Sequence, residues 1–319
     1  MQILDKYDNR ILYELDADCR QTNKQIAKKV KLSEQAVAYR IERLQKNNII
    51  DKFVLMVNLA KLGNTHYKLF LRLQNINSEK EAEFEEFIKK TQGVFWAVST
   101  RGNYDYIISF LAKQLKDYKN FYNGLKNKFG VYIYSEDLVI LTKAPLFTRS
   151  YLVENIEKKE FIYLGDQEIV NIDNKDERII KALALNARAS YIELSKKTKI
   201  KPDTIRNRMK KLKSLGVIMP KITIDPKKIG RTYQMILFTL QSFNEKILRD
   251  MEIFAQGHPP ILYYVNCIGS HNVELEIETA SDDETDFIIK SFKNYFPQYI
   301  KNYSVLDIKK ELKLNFAPF

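Results

Sequence analysis

Two stretches of this 319-residue chain carry side chains able to read the edges of nucleic-acid bases. If residues 33–47 form a helix, Ser33, Glu34, Gln35, Ala38, Tyr39 and Arg43 fall on its outward side. Gln35 can pair with adenine, and Glu34 can accept from the amino group of cytosine. A second stretch, residues 202–215, turns Lys201, Asp203, Thr204, Arg206, Asn207, Lys210 and Lys211 outward in the same way. Arg206 suits guanine and Asn207 suits adenine. Lys210, Lys211 and Lys213 suit phosphate, which supplies salt-dependent affinity without sequence information.

Both stretches belong to a longer repeat. Residues 4–50 align without a gap to residues 172–218, at an offset of 168. Asp5, Asp8, Arg10, Arg20, Arg40 and Leu44 recur as Asp173, Asp176, Arg178, Arg188, Arg208 and Leu212, and most other differences are apolar swaps. In each copy the apolar spacing predicts helix, helix, turn, helix, and then a β-rich wing. In copy one the helices cover residues 5–15, 23–30 and 33–47, with Val37, Ile41 and Leu44 as the inward stripe of the third. Ser33 is its expected cap, and Asn48 the left-handed residue that ends it. In copy two they cover residues 173–185, 191–198 and 202–215, with Pro202 at a first helical position and Gly216 in the place of Asn48.

A different pattern follows each wing. Residues 66–73, 78–91, 94–100, 104–111, 115–129 and 138–142 read strand, helix, strand, strand, helix, strand. Residues 233–314 repeat the order, so two ferredoxin-like βαββαβ domains are expected. The fold class is therefore α+β, with two winged helix-turn-helix domains alternating with two ferredoxin-like domains. The divisions are residues 1–62, 63–148, a charged linker at 149–171, 172–230 and 231–319.

The formal net charge is +12. Residues 1–60 hold 11 Lys and Arg against 8 Asp and Glu, whereas residues 172–230 hold 16 against 6. A basic face on a small helical module is the footprint of a polyanion partner. Copy two is therefore expected to dominate affinity, with copy one adding reach or register. There is no run of 18 apolar residues and no secretory leader pattern, so a cytoplasmic protein without a membrane span is expected. Cys19 and Cys267 read as reduced structural thiols, and His66, His258 and His271 are too scattered for a metal site. No catalytic triad, phosphate loop or dinucleotide loop is present, so no cofactor and no enzyme activity are expected.

The repeat resembles the Lrp/AsnC family of transcription regulators. Leu4-Asp5, Asp8, Ile11-Leu12 and Leu15 match its first helix, and Ser33, Val37, Arg40-Ile41, Leu44 and Asn48-Ile49-Ile50 match its reading helix. Downstream, Gly102-Asn103-Tyr104-Asp105 matches the family's G-x-Y-D loop. The resemblance covers nearly the whole chain, twice. It implies a sequence-specific regulator of double-stranded DNA, with Arg40 and Arg208 either contacting phosphate or bracing the helix. It also implies a small effector, usually an amino acid, bound near Gly102, Tyr104, Asp105 and Gly269. Asp105 would hold an ammonium group or simply cap the hairpin, and its counterpart Asn272 lacks the charge. Family members pair through their effector domains, so intrachain pairing and a homo-oligomer are expected. The chain departs from the family in carrying two units, in Asn272, and in Lys201 where Ser33 caps copy one.

Two other readings remain. Sirohaem decarboxylases resemble the same family in fold and carry His and Asn at the corresponding loop, as His271-Asn272 does here. A non-specific architectural DNA binder is the third.

Overall fold

The computed structural model describes residues 4–165 and 168–315. The first head contains α1 (Lys6–Ala17), α2 (Asn23–Val30), α3 (Glu34–Lys46) and the wing strand β1 (Ile50–Val57). Each helix starts on a side-chain cap: Asp5, Thr22 and Ser33 accept from backbone N–H groups of the first turn. The second head contains α6 (Asn174–Leu185), α7 (Tyr191–Thr198), α8 (Pro202–Ser214) and β7 (Ile218–Ile224). Asp173 and Ser190 cap it in the same way, but Lys201 offers α8 no side-chain bond, and Pro202 takes the first position instead. Asn48 and Gly216 both adopt positive φ, 53° and 63°, where each third helix ends.

The wings differ from the expectation. Neither head closes a wing of its own; β1 and β7 pair with each other, antiparallel, from Ile50 opposite Ile224 to Val57 opposite Ile218. The turn after each first helix joins the other head's wing, through Cys19 N–H to Pro220 O at 3.1 Å and Ala187 N–H to Phe53 O at 3.0 Å. The apolar residues of both heads thus merge into one core, including Ile11, Leu15, Val37, Ile179, Leu183 and Ile205. A strand left alone would expose unpaired backbone groups along both of its edges, and pairing the wings covers one edge of each.

Below the heads, the two βαββαβ units share one sheet. The first comprises β2 (Thr65–Leu73), α4 (Ser78–Lys90), β3 (Val94–Arg101), β4 (Tyr106–Ala112), α5 (Leu115–Phe129) and β5 (Ile133–Phe147). The second comprises β8 (Thr232–Leu240), α9 (Glu245–Gly257), β9 (Ile261–Gly269), β10 (Val273–Thr279), α10 (Asp282–Tyr295) and β11 (Ile300–Leu314). The strands run β2-β4-β3-β11-β8-β10-β9-β5, and β5 pairs again with β2, so the sheet closes into an eight-stranded antiparallel barrel. Two seams join the units, β3 to β11 and β5 to β9. The expected last strands, residues 138–142 and 305–314, are longer here, 15 residues each: β5 extends at both ends, between its pairing with β2 and its seam with β9, and the added start of β11 pairs with β8 of its own unit. Outside the barrel, Phe84, Phe121 and Phe129 pack under α4 and α5, while Met251, Phe254 and Phe292 pack under α9 and α10.

The segment expected to be a charged linker is packed structure. Residues Glu160–Leu164 form β6, which pairs with the end of β5. Tyr13 donates to Glu157 O, and Asn58 to Ile162 O, so the first head holds this segment too. Lys158 is buried and donates to Ala255 O and Ile261 O at 2.9 and 2.6 Å, supplying partners to carbonyls at the end of α9 and the start of β9. Its charges looked like solvated linker residues because their partners lie roughly a hundred residues away in sequence.

Candidate nucleic-acid interface and effector sites

Helices α3 and α8 are the outward helices of the paired heads. On α3, Glu34, Gln35 and Tyr39 are exposed, Tyr39 by 66%, and Ala38 is half-buried. The Ser33 hydroxyl accepts from Ala36 N–H at 3.1 Å and so caps the start of the helix. On α8, Lys201, Asp203, Asn207, Lys210 and Lys211 are exposed and Thr204 is half-buried. Arg206 is 60% exposed, ion-paired to Asp203 at 3.1 Å, with its guanidinium 5.3 Å from the Tyr191 ring.

The two arginines left open between phosphate and bracing make internal ion pairs. Arg40 reaches Asp5 at 2.8 Å and Asp8 at 2.7 Å, and Arg208 reaches Asp173 at 2.7 Å and Asp176 at 2.9 Å. Arg43 also binds Asp8, at 2.5 Å. These aspartates cap the first helix of each head, so each cap is tied to the middle of its reading helix. The pairing fixes the angle between the two helices while leaving the start of the reading helix free.

The effector-type loops lie on the barrel seams. Gly102 has φ of 135°, and a side chain there would come within 2.8 Å of Val305 O on β11. Gly269 has φ of 151°, and its side chain would come within 2.2 Å of Leu138 O on β5. Both glycines therefore let the strands of the two units approach, a sufficient reason for their lack of a side chain. Tyr104 donates to Asp137 at 2.5 Å. The Asp105 carboxylate accepts from Leu73 N–H at 2.7 Å, and Asn272 accepts from Leu240 N–H at 2.9 Å. An amide oxygen serves this backbone cap as well as a carboxylate does, which explains why Asn can stand in the second unit. Asp105 also lines a cleft of about 320 Å³ with Asn75, Glu81, Ser99, Thr100 and Lys309.

Sequence reasoning missed the charged groups inside the molecule. Arg149 donates to Asp16 at 2.7 Å and, through two nitrogens, to Glu278 at 2.8 and 2.9 Å; Lys221 reaches Asp16 at 3.1 Å. This network ties α1, β7 and β10 together. Within the barrel, Lys68 sits on Glu274, and His271 Nε2 lies 2.9 Å from Glu274 Oε1. Burial alone would raise the Glu274 carboxyl, but Lys68 and His271 overcome it and hold it at about 2. Burial alone would likewise discharge Lys68, which Glu274 and Glu276 keep protonated. Cys267, His271 and Glu274 have their ligand-type atoms within 4.8 Å of one another, but the Lys68 ammonium already occupies the cation position beside Glu274. Alternating strands hide such groups from sequence reading, because a polar residue facing a barrel interior looks the same as one facing solvent.

Paired winged heads, each presenting a charged helix from above a closed barrel, define a DNA-binding protein of the helix-turn-helix class. A family of winged helix-turn-helix DNA-binding domains matches residues 4–51 and again residues 172–219. The transcriptional regulator AzlB of Bacillus subtilis is 34% identical over 120 residues, which cover 37% of this chain and 76% of AzlB. The regulatory protein AsnC of Haemophilus influenzae is 30% identical over 125 residues, 37% of this chain and 79% of AsnC. The chain belongs to the Lrp/AsnC family of DNA-binding transcriptional regulators and carries the unit twice. A crystal structure of the siroheme decarboxylase NirDL shares the whole architecture, with a TM-score of 0.63, 12% identity, and coverage of 98% of this chain and 93% of that one. At that identity the likeness is one of fold.

Proposed function

We propose that this chain is a sequence-specific regulator that reads an asymmetric stretch of DNA with two unlike heads. The observation that carries the proposal is the β1–β7 ribbon, which fixes two different reading helices in one rigid pair. A symmetric dimer reads a palindrome because its heads are identical. Here Gln35 and Tyr39 face one half-site, and Arg206, Asn207 and Lys210 face the other. Lys210 and Lys211 lie where phosphates would run, and the second head carries the larger positive excess. Arg40, Arg43 and Arg208 brace their heads through the ion pairs above and leave reading to their neighbours. The cleft beside Asp105 receives a small effector such as an amino acid, with the free side of the carboxylate facing its ammonium group. The same reading puts the protein in the cytoplasm and allows larger homo-oligomers, whose size sedimentation would give. Among the described residues no helix is long and apolar enough to cross a membrane.

The test is fluorescence anisotropy on promoter DNA and on random DNA across a salt series. Promoter-selective binding with a steep salt slope is expected. Arg206→Ala should cost about 1–3 kcal/mol, and Lys210→Ala should lower the salt slope by about 1. Both should exceed the loss from Gln35→Ala with Tyr39→Ala. Equal losses would remove the dominance of the second head. Equal affinity for random DNA would favour an architectural role.

A second reading, a tetrapyrrole decarboxylase, rests on the architecture shared with NirDL. His271, which pointed the same way in the sequence, is buried against Glu274 rather than presented from a hairpin. Sirohaem added to the protein should leave its absorbance spectrum unchanged; a saturable spectral shift would revive the enzyme.

A further inference from the structure

A cavity of about 550 Å³ lies between the wing ribbon and the barrel. Its roof is formed by β1 and β7, and its walls by barrel strands. It is separate from the Asp105 cleft, sharing with it only Lys309 among the lining residues. Volumes of this size hold small metabolites.

The lining is built for a polar group on a flat body. Phe95, Trp96, Tyr163, Tyr233 and Tyr263 supply aromatic surface. Two buried polar atoms in the lining have no partner among the described residues: His66 Nε2 and Ser109 Oγ. His66 and Ser109 are 2% and 0% exposed. A buried group left unpaired is destabilising, so both gain from a ligand that pairs them. The direction of His66 is fixed by its other nitrogen, which lies 2.8 Å from the Tyr163 hydroxyl. Burial pulls His66 well below its ordinary value and pushes Tyr163 well above its own, so a neutral ring faces a neutral phenol, and the tautomer that leaves no phenol hydrogen unpaired is the one in which Tyr163 donates to Nδ1. Nε2 then carries the hydrogen and requires an acceptor. Lys52, Lys68, Arg149, Lys227, Lys309 and Lys310 line the cavity against Asp51, Asp225, Glu276, Glu278 and Glu311, with Lys68 paired to Glu274 and Arg149 to Glu278. The charges nearly balance, so the unpaired donors rather than the net charge call for the acceptor.

We propose that this cavity is a second effector site, which takes a small aromatic carboxylate with its carboxylate oxygens on His66 Nε2 and Ser109 Oγ and its ring among the aromatic walls. Such a ligand touches β1 and β7 as well as the barrel, so it joins the reading heads to the body of the protein.

The chain has one tryptophan, Trp96, and it lines the cavity. Its fluorescence reports occupancy directly and does not depend on DNA binding, so failure of the regulator reading would leave this test intact. The full-length protein is titrated with sodium benzoate, with benzyl alcohol, which lacks the carboxylate, and with sodium acetate, which lacks the ring. Excitation is at the red edge of the indole band. Benzoate should give a saturable change, with an affinity roughly tenfold or more above either control. No saturable change with benzoate would overturn the site, and equal binding of benzyl alcohol would overturn the carboxylate assignment. Ser109→Val and His66→Phe should each weaken benzoate at least about tenfold in protein that remains folded by circular dichroism. If one variant fails to fold, the other decides, and wild-type affinity in the folded variant overturns the placement.

Discussion

Arg20 and Arg188 hold equivalent places in the two heads, and each reaches across to the other. Arg20 Nη1 donates to the carbonyls of Ala187 and Ala189 at 2.7 and 2.8 Å. Arg188 returns the contact to Cys19 O at 3.2 Å and Asn23 Oδ1 at 2.6 Å. Reciprocal contacts of this kind are what an isologous dimer makes, here within one chain. Charge-assisted bonds to backbone contribute about 1.5–3 kcal/mol each. Replacing both arginines with Met should loosen the paired heads and weaken binding to a full operator more than binding to a single half-site. Anisotropy on the two DNA lengths would check this; equal losses would mean the β1–β7 ribbon suffices.

Arg149 joins the heads to the barrel by holding Asp16 and Glu278 together. Removing the guanidinium leaves Asp16 with Lys221 and Glu278 with Tyr151, both carboxylates buried and only partly paired, a loss of up to about 3–5 kcal/mol. Arg149→Met should therefore lower the urea midpoint more than any single change in the outward face of α3. An unchanged midpoint would show that Lys221 alone can satisfy Asp16.

Glu274 predicts acid sensitivity. Its carboxyl lies at about 2 in the folded chain against 4.5 for an unburdened glutamate. A lowered folded value stabilises the protein above the unfolded one, so the contribution is complete at neutral pH and is lost as pH falls from about 4.5 through about 2. The shift corresponds to roughly 3 kcal/mol. Glu274→Gln should destabilise the protein at pH 7 and flatten that part of the stability profile, measured by denaturant unfolding at a series of pH values. A profile parallel to wild type would assign the acid limb to other carboxylates.

The two seam glycines should differ in tolerance. A side chain at Gly269 would meet backbone at 2.2 Å, against 2.8 Å at Gly102, and both positions have positive φ. Gly269→Ala should cost more than Gly102→Ala, each by at least about 1–3 kcal/mol. The reverse order in calorimetry would place the tighter seam at β3–β11.

Cys19 and Cys267 should not react in the native state. Burial pushes the Cys19 thiol up to about 12 and raises that of Cys267 well above its ordinary value. Thiolate, the reactive form, is then scarce at neutral pH. An aromatic disulfide reagent should report both thiols only after unfolding; rapid labelling of the native protein would show that the head or barrel core opens.

The elements and their duplication are legible in the order of the residues alone. The cap at Ser33, the stripes on α3 and α8, and the two βαββαβ orders all depend on neighbours within one or two turns or along a single strand. The residues of the reading helices were visible for the same reason. Long-range packing sets the pairing of the wings with each other, the closure of the two sheets into a barrel, and the packing of residues 149–165. It also decided that Arg40 and Arg208 sit on aspartates and that Lys68, Glu274 and His66 face inward. These outcomes join residues far apart in the chain: Lys68 and Glu274 are 206 positions apart, Arg149 and Asp16 are 133. Local spacing fixes which side of an element a residue occupies, whereas the partner on that side depends on how the elements close over one another.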